Sequence, residues 1–193
     1  MKKMIMMFLM MVGVMAHASS ADYNVRDYGA KGDGKTLDHQ AINAAIDSCV
    51  AHGGGRVVVP AGTYLCGSIR MKSHVELHLS AGAKILAAPA SMKAYDEAEH
   101  WEGPAYQDGG HTYFKNSLIY AIGQEHVSIT GRGMIDGQGL TKKDTEKGGV
   151  VNGGNIGTGD KAIAFKLCRN ILIRDVTIYR GGHFAIILTG CEL

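Results

Sequence analysis

Residues 161–178 read KAIAFKLCRNILIRDVTI, and the pattern of this stretch recurs along the chain. When the stretch is shifted forward by 23 residues, Cys168 aligns with Cys191, and the apolar residues that precede the two cysteines also align. Moved back by 44 residues, Ile173 falls on Ile129. A unit of about 22–23 residues therefore repeats, with 44 as two turns of it, which is typical of solenoids, propellers and other repeat arrays.

The repeated unit has the composition of short β-strands. Branched apolar residues alternate with polar ones, as in Val75, Leu77, Leu79, Val127, Ile129, Ile171, Ile173, Val176 and Ile178. This is the two-residue period of a strand, and glycine-rich turns separate the runs at 131–133, 136–139 and 180–182. Such coils bury their apolar side chains only by stacking, so the pattern predicts an all-β solenoid, a parallel β-helix. The leucine pattern of leucine-rich repeats is absent.

The first 18 residues have the organisation of a secretory signal peptide. Two lysines precede an apolar run over residues 4–15, and Ala16-His17-Ala18 follows it. We expect cleavage after Ala18, export to the periplasm or the medium, and one β-helix domain over residues 19–193. No later segment reaches the roughly 18 apolar residues that a membrane span requires.

The charge of the chain excludes partners that are held by bulk electrostatics. The sequence has 20 basic and 18 acidic residues, and two of the basic ones, Lys2 and Lys3, belong to the predicted signal. The mature chain is therefore balanced, which argues against nucleic acid, membrane surfaces and polyanions as bulk partners. An acidic ligand requires a local cluster of basic groups. We expect no cofactor and no metal, since no Cys-x-x-Cys or histidine spacing accompanies the cysteines.

Residues 38–50 form the one clear amphipathic helix of the sequence, with Asp38 or Thr36 as N-cap and Gly53-Gly54-Gly55 after its end. Its apolar face comprises Ala41, Ile42, Ala45, Ile46 and Cys49. Because an exposed solenoid end needs a cap, we expect this helix to cover the N-terminal end of the stack. The glycine loop 29–34 has the order of a phosphate-binding loop, but no second βαβ unit follows, so a turn is favoured.

Two stretches interrupt the coils. Residues 90–117 lack strand alternation and are rich in aromatic residues, and loops of this length usually have a function. Two interpretations stay open: the aromatic rings form a wall of a sugar groove, or they pack the loop onto the coils. Residues 139–160 form a second, polar and glycine-rich insertion. The last unit stops at Leu193 soon after it begins, which predicts a C-terminally incomplete solenoid with an uncovered edge.

Four cysteines lie outside the predicted signal: Cys49, Cys66, Cys168 and Cys191. Export would permit disulfides. Cys168 and Cys191 occupy the same repeat position, where they either stack as small apolar residues or form a bridge. Stacking is the favoured interpretation, because inward-facing positions in adjacent coils leave a disulfide little geometric freedom.

Three motifs together resemble glycoside hydrolase family 28, the polygalacturonases and rhamnogalacturonases. They are YGAKGDG at 28–34, VVPAGTY at 58–64 and GRGMIDGQG at 131–139. The first two are shared across the pectin lyase-like β-helix superfamily. The third, with Phe165, Cys168 and Asn170, is closer to the family itself. The resemblance covers residues 23–193, the N-terminal part of such proteins.

The resemblance implies a right-handed parallel β-helix, monomeric when complete, that acts on pectin-type polysaccharide of the plant cell wall. It also implies hydrolysis with inversion by two carboxylates about 6.5–9.5 Å apart. The family carries its acids in an Asn-Thr-Asp-Gly-like motif and an Asp-Asp pair, followed by Gly-His-Gly, and these motifs do not occur in the chain. We therefore assign no catalytic residue and expect the chain to be inactive as it stands. The choice of sugar and of endo or exo action stays open.

Three carboxylates of the chain are candidates to replace the acids of the absent motifs. Asp136 precedes a glycine turn and has the position of a turn residue. Asp160 and Asp175 lie beside Lys161 and Arg174, which favours ion pairs. None of the three is predicted to be catalytic.

The candidate substrate-binding residues are His183, Trp101 and Tyr113. His183 follows Gly181-Gly182 on the last complete coil, and Trp101 and Tyr113 belong to the aromatic stretch. Two other functions remain open. A β-helix polysaccharide lyase would use a basic residue and calcium, although no acidic calcium cluster is visible. A non-catalytic carbohydrate-binding β-helix would use the loop 90–117.

Overall fold

The computed structural model describes residues 22–100, 111–140 and 159–192. The predicted signal peptide and Trp101 lie outside these residues. The strands that precede the first long connection are β1 Asp22–Asn24, β2 Asp33–Leu37, β3 Gly55–Val59, β4 Gly62–Cys66, β5 Ile69–Arg70, β6 Val75–Leu79 and β7 Ala83–Ala87. Those that follow it are β8 Ser117–Ile122, β9 Glu125–Gly131, β10 Met134–Asp136, β11 Lys161–Lys166, β12 Arg169–Ile173, β13 Thr177–Tyr179 and β14 Phe184–Thr189. The helix α1 is His39–Ala51, and short 3₁₀ turns occupy Val25–Tyr28 and Ala90–Met92.

The strands form three parallel sheets that share one interior. Sheet A has the order β1-β3-β6-β9-β12, sheet B β2-β4-β7-β10-β13, and sheet C β5-β8-β11-β14. The chain passes from A to B to C and then begins the next coil, so each strand pairs with the strand one coil away. Crossovers between parallel strands of one sheet are right-handed almost without exception. The fold is therefore a right-handed parallel β-helix, as predicted.

The interior is built from stacked rows of apolar side chains. In sheet C, Ile119 pairs with Ile163 and Ile163 with Ile186. Equivalent rows are Val57, Leu77, Ile129 and Ile173 in sheet A, and Tyr64, Ile85, Ile135 and Ile178 in sheet B. Each fully buried aliphatic side chain contributes about 1.5–3 kcal/mol through loss of water contact. The alternation in the sequence thus specifies which face of each strand lies inside.

The prediction that a shift of 44 residues spans two coils is wrong. Arg56 pairs with Glu76 across one coil, a separation of 20 residues, and Lys161 pairs with Phe184, a separation of 23. Ile119 and Ile163 are 44 residues apart and yet are direct neighbours in sheet C. The reason is that residues 137–160 connect β10 to β11 and are about as long as a coil.

One corner of the coil requires a left-handed backbone in every turn of the stack. His74, His126 and Asn170 hold the same position in register, at the start of sheet A strands or one residue before them, with φ of 62°, 53° and 52°. Asparagine and histidine tolerate this conformation better than branched residues do. The rings of His74 and His126 stack with their centres 5.1 Å apart. The sequence alignment of Asn170 with His126 therefore marks a conformational repeat.

The helix α1 lies where the sequence predicted it and buries Ile42, Ala45, Ile46 and Cys49. It packs against the first coils of the stack. Asp38 is the N-cap residue, but its side chain does not bond to the helix. The carboxylate instead accepts the backbone N–H groups of Lys31 (2.7 Å) and Gly32 (2.9 Å) and so fixes the glycine loop.

The glycine loop packs closely against Tyr64 and Arg26 at Gly32. A Cβ at that position would lie 2.9 Å from the Tyr64 ring and 3.2 Å from the Arg26 guanidinium. Arg26 also donates to the carbonyl oxygens of Lys31 and Ala61. The loop is therefore a structural turn, in agreement with the favoured interpretation.

All four cysteines are free thiols. Cys168 is fully buried, and Cys191 packs against the same core, so the two stack as predicted rather than form a bridge. In the last coil the interior-facing Ile186 and Leu188 are 41% and 47% exposed. In the part of the chain that the structure describes, no helix has the length and apolarity needed to cross a bilayer.

Candidate functional site

Both long connections leave the stack at the corner between sheet B and sheet C. We call residues 88–116, between β7 and β8, the excursion, and residues 137–160, between β10 and β11, the insertion. In the last coil the same corner is formed by 180–183 and contains His183. The central part of the insertion, 141–158, lies outside the described residues. Function concentrates on such loops when a rigid scaffold positions them, so this corner is the candidate site.

The first arm of the excursion is fixed to sheet C through Asp96. Its carboxylate accepts two hydrogen bonds from Arg70 at 2.6 and 2.7 Å and one from the Tyr120 hydroxyl at 2.7 Å. The Asp96 backbone N–H donates to Ser68 Oγ at 3.0 Å. Burial raises the pKa of Asp96, but Arg70 and Tyr120 outweigh it, and the pKa lies below its usual value. The carboxylate is therefore charged over the physiological range.

The second arm of the excursion is fixed through Phe114. This ring is fully buried against Ala164 and Ile187, with Tyr120 and Phe184 beside it. Lys166 Nζ lies 5.3 Å from the ring centre, a cation–π contact. The two arms are joined because the Glu99 carboxylate accepts the backbone N–H groups of Phe114 and Lys115 at 2.9–3.0 Å. The described parts of the excursion, 88–100 and 111–116, therefore pack on the outer face of sheet C.

The structure places one of the three predicted binding residues, His183, at an edge of sheet C beside the second arm of the excursion. His183 contacts the Phe184 ring edge-on at 4.4 Å, and His111 contacts the same ring at 5.2 Å. Tyr113 lies on the adjoining arm, but it is only 8% exposed, which leaves little of its ring for a sugar. His111 and His183 thus lie together at this edge, whereas Lys166 lies at the opposite end of β11, in register with Ile122 and Thr189. Sequence reasoning did not single out His111 or Lys166.

Asp136 is a buried ion-pair residue as well as a turn residue. Arg180 donates to both of its carboxylate oxygens, at 2.8 and 2.5 Å, and also to Gln138 Oε1 at 2.9 Å. The Asp136 side chain is 3% exposed, and the Arg180 guanidinium lies over the Tyr179 ring at 4.7 Å. This contact fastens the start of the insertion to the corner that contains His183.

Asp160 and Lys161 form a second ion pair, inside the corner, with Asp160 Oδ1 and Lys161 Nζ 2.5 Å apart. Lys161 is fully buried, and its register neighbour Ser117 is also fully buried. Burial raises the pKa of Asp160 and outweighs the opposite effects of Lys161 and His183. The backbone of Asp160 also bonds to Asn116 and His183. The pair thus positions the end of the insertion between the excursion and His183.

The third candidate acid, Asp175, contacts Arg174 at 3.2 Å, and both side chains are more than 60% exposed. Such a surface pair contributes little to stability. Within residues 22–100, 111–140 and 159–192, no group of three or more His, Cys, Asp or Glu residues is arranged to hold a metal ion.

The family model described as rhamnogalacturonase A/epimerase, pectate lyase-like, matches residues 23–185. The chain belongs to this family. An exo-poly-α-D-galacturonosidase of Dickeya chrysanthemi is 35% identical over 136 residues, which cover 67% of this chain and 21% of the relative. The chain thus spans about a fifth of that relative's length.

Two solved structures extend the comparison. A family 28 exopolygalacturonase of Yersinia enterocolitica matches with a TM-score of 0.64 and 28% identity, over 90% of this chain and 39% of the other. The surface adhesin PfbA of Streptococcus pneumoniae matches with a TM-score of 0.53 and 28% identity, over the same shares of the two chains. The relatives therefore include pectin-degrading glycoside hydrolases and one adhesin.

Proposed function

We propose that the chain supplies the N-terminal coils of an exported polygalacturonase-type enzyme, which hydrolyses pectin-backbone glycosidic bonds with inversion through two carboxylates. We propose further that the 193-residue chain does not catalyse this reaction by itself. The similarity to the Dickeya galacturonosidase carries the proposal, and the much greater length of that relative supports a location of the reacting groups outside these residues.

The ion pairs of the aspartates at the corner support the proposal that the reacting groups lie outside the 193-residue chain. An inverting glycosidase needs one protonated carboxyl and one free carboxylate on opposite sides of the bond. Asp96, Asp136 and Asp160 are each held by a basic partner at 2.5–2.8 Å. The basic partners occupy carboxylate oxygens of all three residues; burial raises the pKa of Asp160, but its Oδ1 is bound to Lys161 Nζ, so none of the three is placed to activate a water or to protonate a leaving oxygen. These residues position loops, and we assign none of them a catalytic role.

Sequencing of the gene beyond codon 193 tests the proposal directly. We expect an open frame that encodes an Asp-Gly motif, an Asp-Asp pair and a Gly-His-Gly motif in further coils. A stop codon directly after Leu193 would contradict the enzymatic assignment.

Assays on the purified chain test the second half of the proposal. We expect no release of reducing ends from polygalacturonate, with or without calcium. Hydrolysis by the chain would show that its own carboxylates suffice. Calcium-dependent formation of products that absorb in the ultraviolet would instead identify a lyase.

Export is tested separately, by expression with the native N-terminus in a bacterial host. We expect the exported protein to begin at Ser19. Retention of the uncleaved chain in the cytoplasm would contradict the predicted signal.

The similarity to the streptococcal adhesin favours one second candidate, a β-helical module that binds glycans without turnover. This alternative predicts that the chain retains a glycan, that Trp101→Ala abolishes retention, and that the gene ends without the catalytic motifs.

A further inference from the structure

The strand β5 is the N-terminal edge of sheet C and contains only two residues, Ile69 and Arg70. On one side it pairs with β8, where Ile69 is in register with Ile119. Its other side has no strand beside it among the described residues. An edge strand presents N–H and C=O groups that need partners, so the partners of this edge have to come from elsewhere in the chain.

One side chain of α1 supplies both partners. Asn43 Nδ2 donates to the Ser68 carbonyl oxygen at 2.9 Å, and Asn43 Oδ1 accepts the Arg70 N–H at 2.8 Å. Ser68 and Arg70 flank Ile69, and a residue of a neighbouring parallel strand would bond to the same two groups. The Asn43 amide, which is 8% exposed, therefore takes the place of one residue of a further strand and terminates sheet C.

The same two residues of the edge also hold the first arm of the excursion. Ser68 Oγ accepts the Asp96 N–H at 3.0 Å, and the Arg70 guanidinium donates to the Asp96 carboxylate at 2.6 and 2.7 Å. Asn43 thus binds the backbone groups of Ser68 and Arg70, whereas Asp96 binds their side chains. The strand β5 therefore lies between α1 and the excursion, with two separate connections to each.

Ser68 connects this edge to the second arm as well. Its hydroxyl lies 3.1 Å from the Lys115 carbonyl oxygen and 2.9 Å from the Ser117 carbonyl oxygen, and it donates towards this pair. Ser68 is 1% exposed, so these bonds are shielded from water. One residue therefore contacts the cap helix, both arms of the excursion and the start of β8.

We infer that the cap helix and the excursion are conformationally coupled through β5, so that α1 supports the candidate site in addition to covering the end of the stack. Asn43 fixes the backbone of Ser68 and Arg70, and this fixes the positions from which their side chains hold Asp96. Among the hydrogen bonds of the described residues, none joins Asn43 to Asp96 directly. Any effect of one on the other therefore passes through β5.

Amide hydrogen exchange of the full chain, followed residue by residue by NMR, tests the coupling. The Asp96 N–H is the reporter, because its partner is Ser68 Oγ and not Asn43. We expect Asn43→Ala to raise the exchange rate of this N–H by about tenfold, a typical coupling between residues of one hydrogen-bond network. Alanine favours the helix, so the variant removes the amide and leaves α1 helical.

Cys49→Ala is the matched control. Cys49 is buried on α1, and its substitution weakens the packing of the helix without removing a hydrogen bond to β5. We expect the exchange of the Asp96 N–H, relative to the amides of β9, to stay at the wild-type value in this variant.

A coupling between two sites is reciprocal, which supplies a second variant. Asp96→Ala leaves both hydrogen bonds of Asn43 in place. We expect the Asn43 side-chain NH₂ group to exchange faster in this variant by a factor similar to that at Asp96 in Asn43→Ala. The second variant decides the question if Asn43→Ala does not fold.

Three results would overturn the inference. The first is unchanged exchange at Asp96 in folded Asn43→Ala, and the second is an equal rise at Asp96 in Cys49→Ala, which would indicate a general loosening of the cap. The third is unchanged exchange of the Asn43 side chain in Asp96→Ala. None of these measurements involves a saccharide, so such a result leaves the proposed function unaffected.

Discussion

Two buried phenylalanines on opposite faces of sheet C allow a matched test of the packing. Phe165 lies inside the solenoid in β11, whereas Phe114 lies outside it, between the excursion and the neighbouring Ala164. Both rings are 0% exposed. The substitutions Phe165→Ala and Phe114→Ala therefore remove the same group at the same burial, one from the stack and one from the layer above it.

The two substitutions are expected to lower Tm by different amounts, because the excursion can detach from sheet C by itself whereas the coils unfold together. Loss of a fully packed Phe side chain lowers the free energy of unfolding by about 3–5 kcal/mol. For a chain of this size, this corresponds to a fall in Tm of about 6–20 °C for Phe165→Ala. The excursion can leave sheet C without unfolding of the coils, so the loss at Phe114 acts first on this local opening. A loss of about 3 kcal/mol raises the open population by roughly 150-fold.

Thermal unfolding and brief proteolysis with mass-spectrometric mapping distinguish the variants. We expect Phe114→Ala to show a smaller fall in Tm than Phe165→Ala and cleavage within residues 88–116 that is faster by up to about 100-fold. Phe165→Ala should be cleaved throughout the chain as global stability falls. Equal falls in Tm without selective cleavage of the excursion would refute the reasoning, since the excursion would then unfold only with the coils.

Two further predictions concern charged groups. Arg180→Ala should lower Tm more than Arg174→Ala, because it leaves the buried Asp136 carboxylate without its cation, whereas Arg174 belongs to an exposed pair; equal shifts would contradict this. Asp33 accepts three hydrogen bonds from Lys35 and Thr36, and these bonds lower its pKa to about 2. The contribution of Asp33 to stability is therefore complete above a pH of about 3.8, the usual pKa of the group, and is lost as the pH falls through about 2. Thr36→Val should raise this pKa in an NMR titration, and an unchanged value would exclude the Thr36 hydroxyl as a cause.

The fold could be predicted from the sequence because its cause is periodic. Each interior row needs an apolar residue at the same position of each coil, so the pattern of Val127 and Ile129 returns at Ile171 and Ile173. The number of coils could not be read from the spacing alone. The insertion is about as long as a coil, so one coil with an insertion resembles two coils without one.

The same ambiguity concealed the pair between Asp136 and Arg180. These residues are 44 residues apart, the spacing that joins Ile119 to Ile163 across one coil. If 44 residues are counted as one coil, Asp136 and Arg180 lie in adjacent coils. Arg180 then follows directly after Tyr179, which is the register partner of Asp136. The contact of Asp96 with Arg70 and Tyr120 has no such signal, because Asp96 lies in a segment without periodicity. Its partner depends on how the excursion folds back, and no repeat specifies that.

The placement of both long connections at one corner follows from the geometry of the coil. From β3 onward, the turns from sheet A to sheet B and from sheet C to sheet A are short. The latter turns also hold left-handed residues in stacked positions, such as Gly123, Leu167 and Gly190. An added residue there would shift the register of the next strand and turn its apolar face outward. Extra chain is tolerated at the corner from B to C, where it leaves the stack and returns without a change of register. The two long connections therefore collect beside sheet C, which is why the regular part of the sequence predicts the fold and the irregular part determines the site.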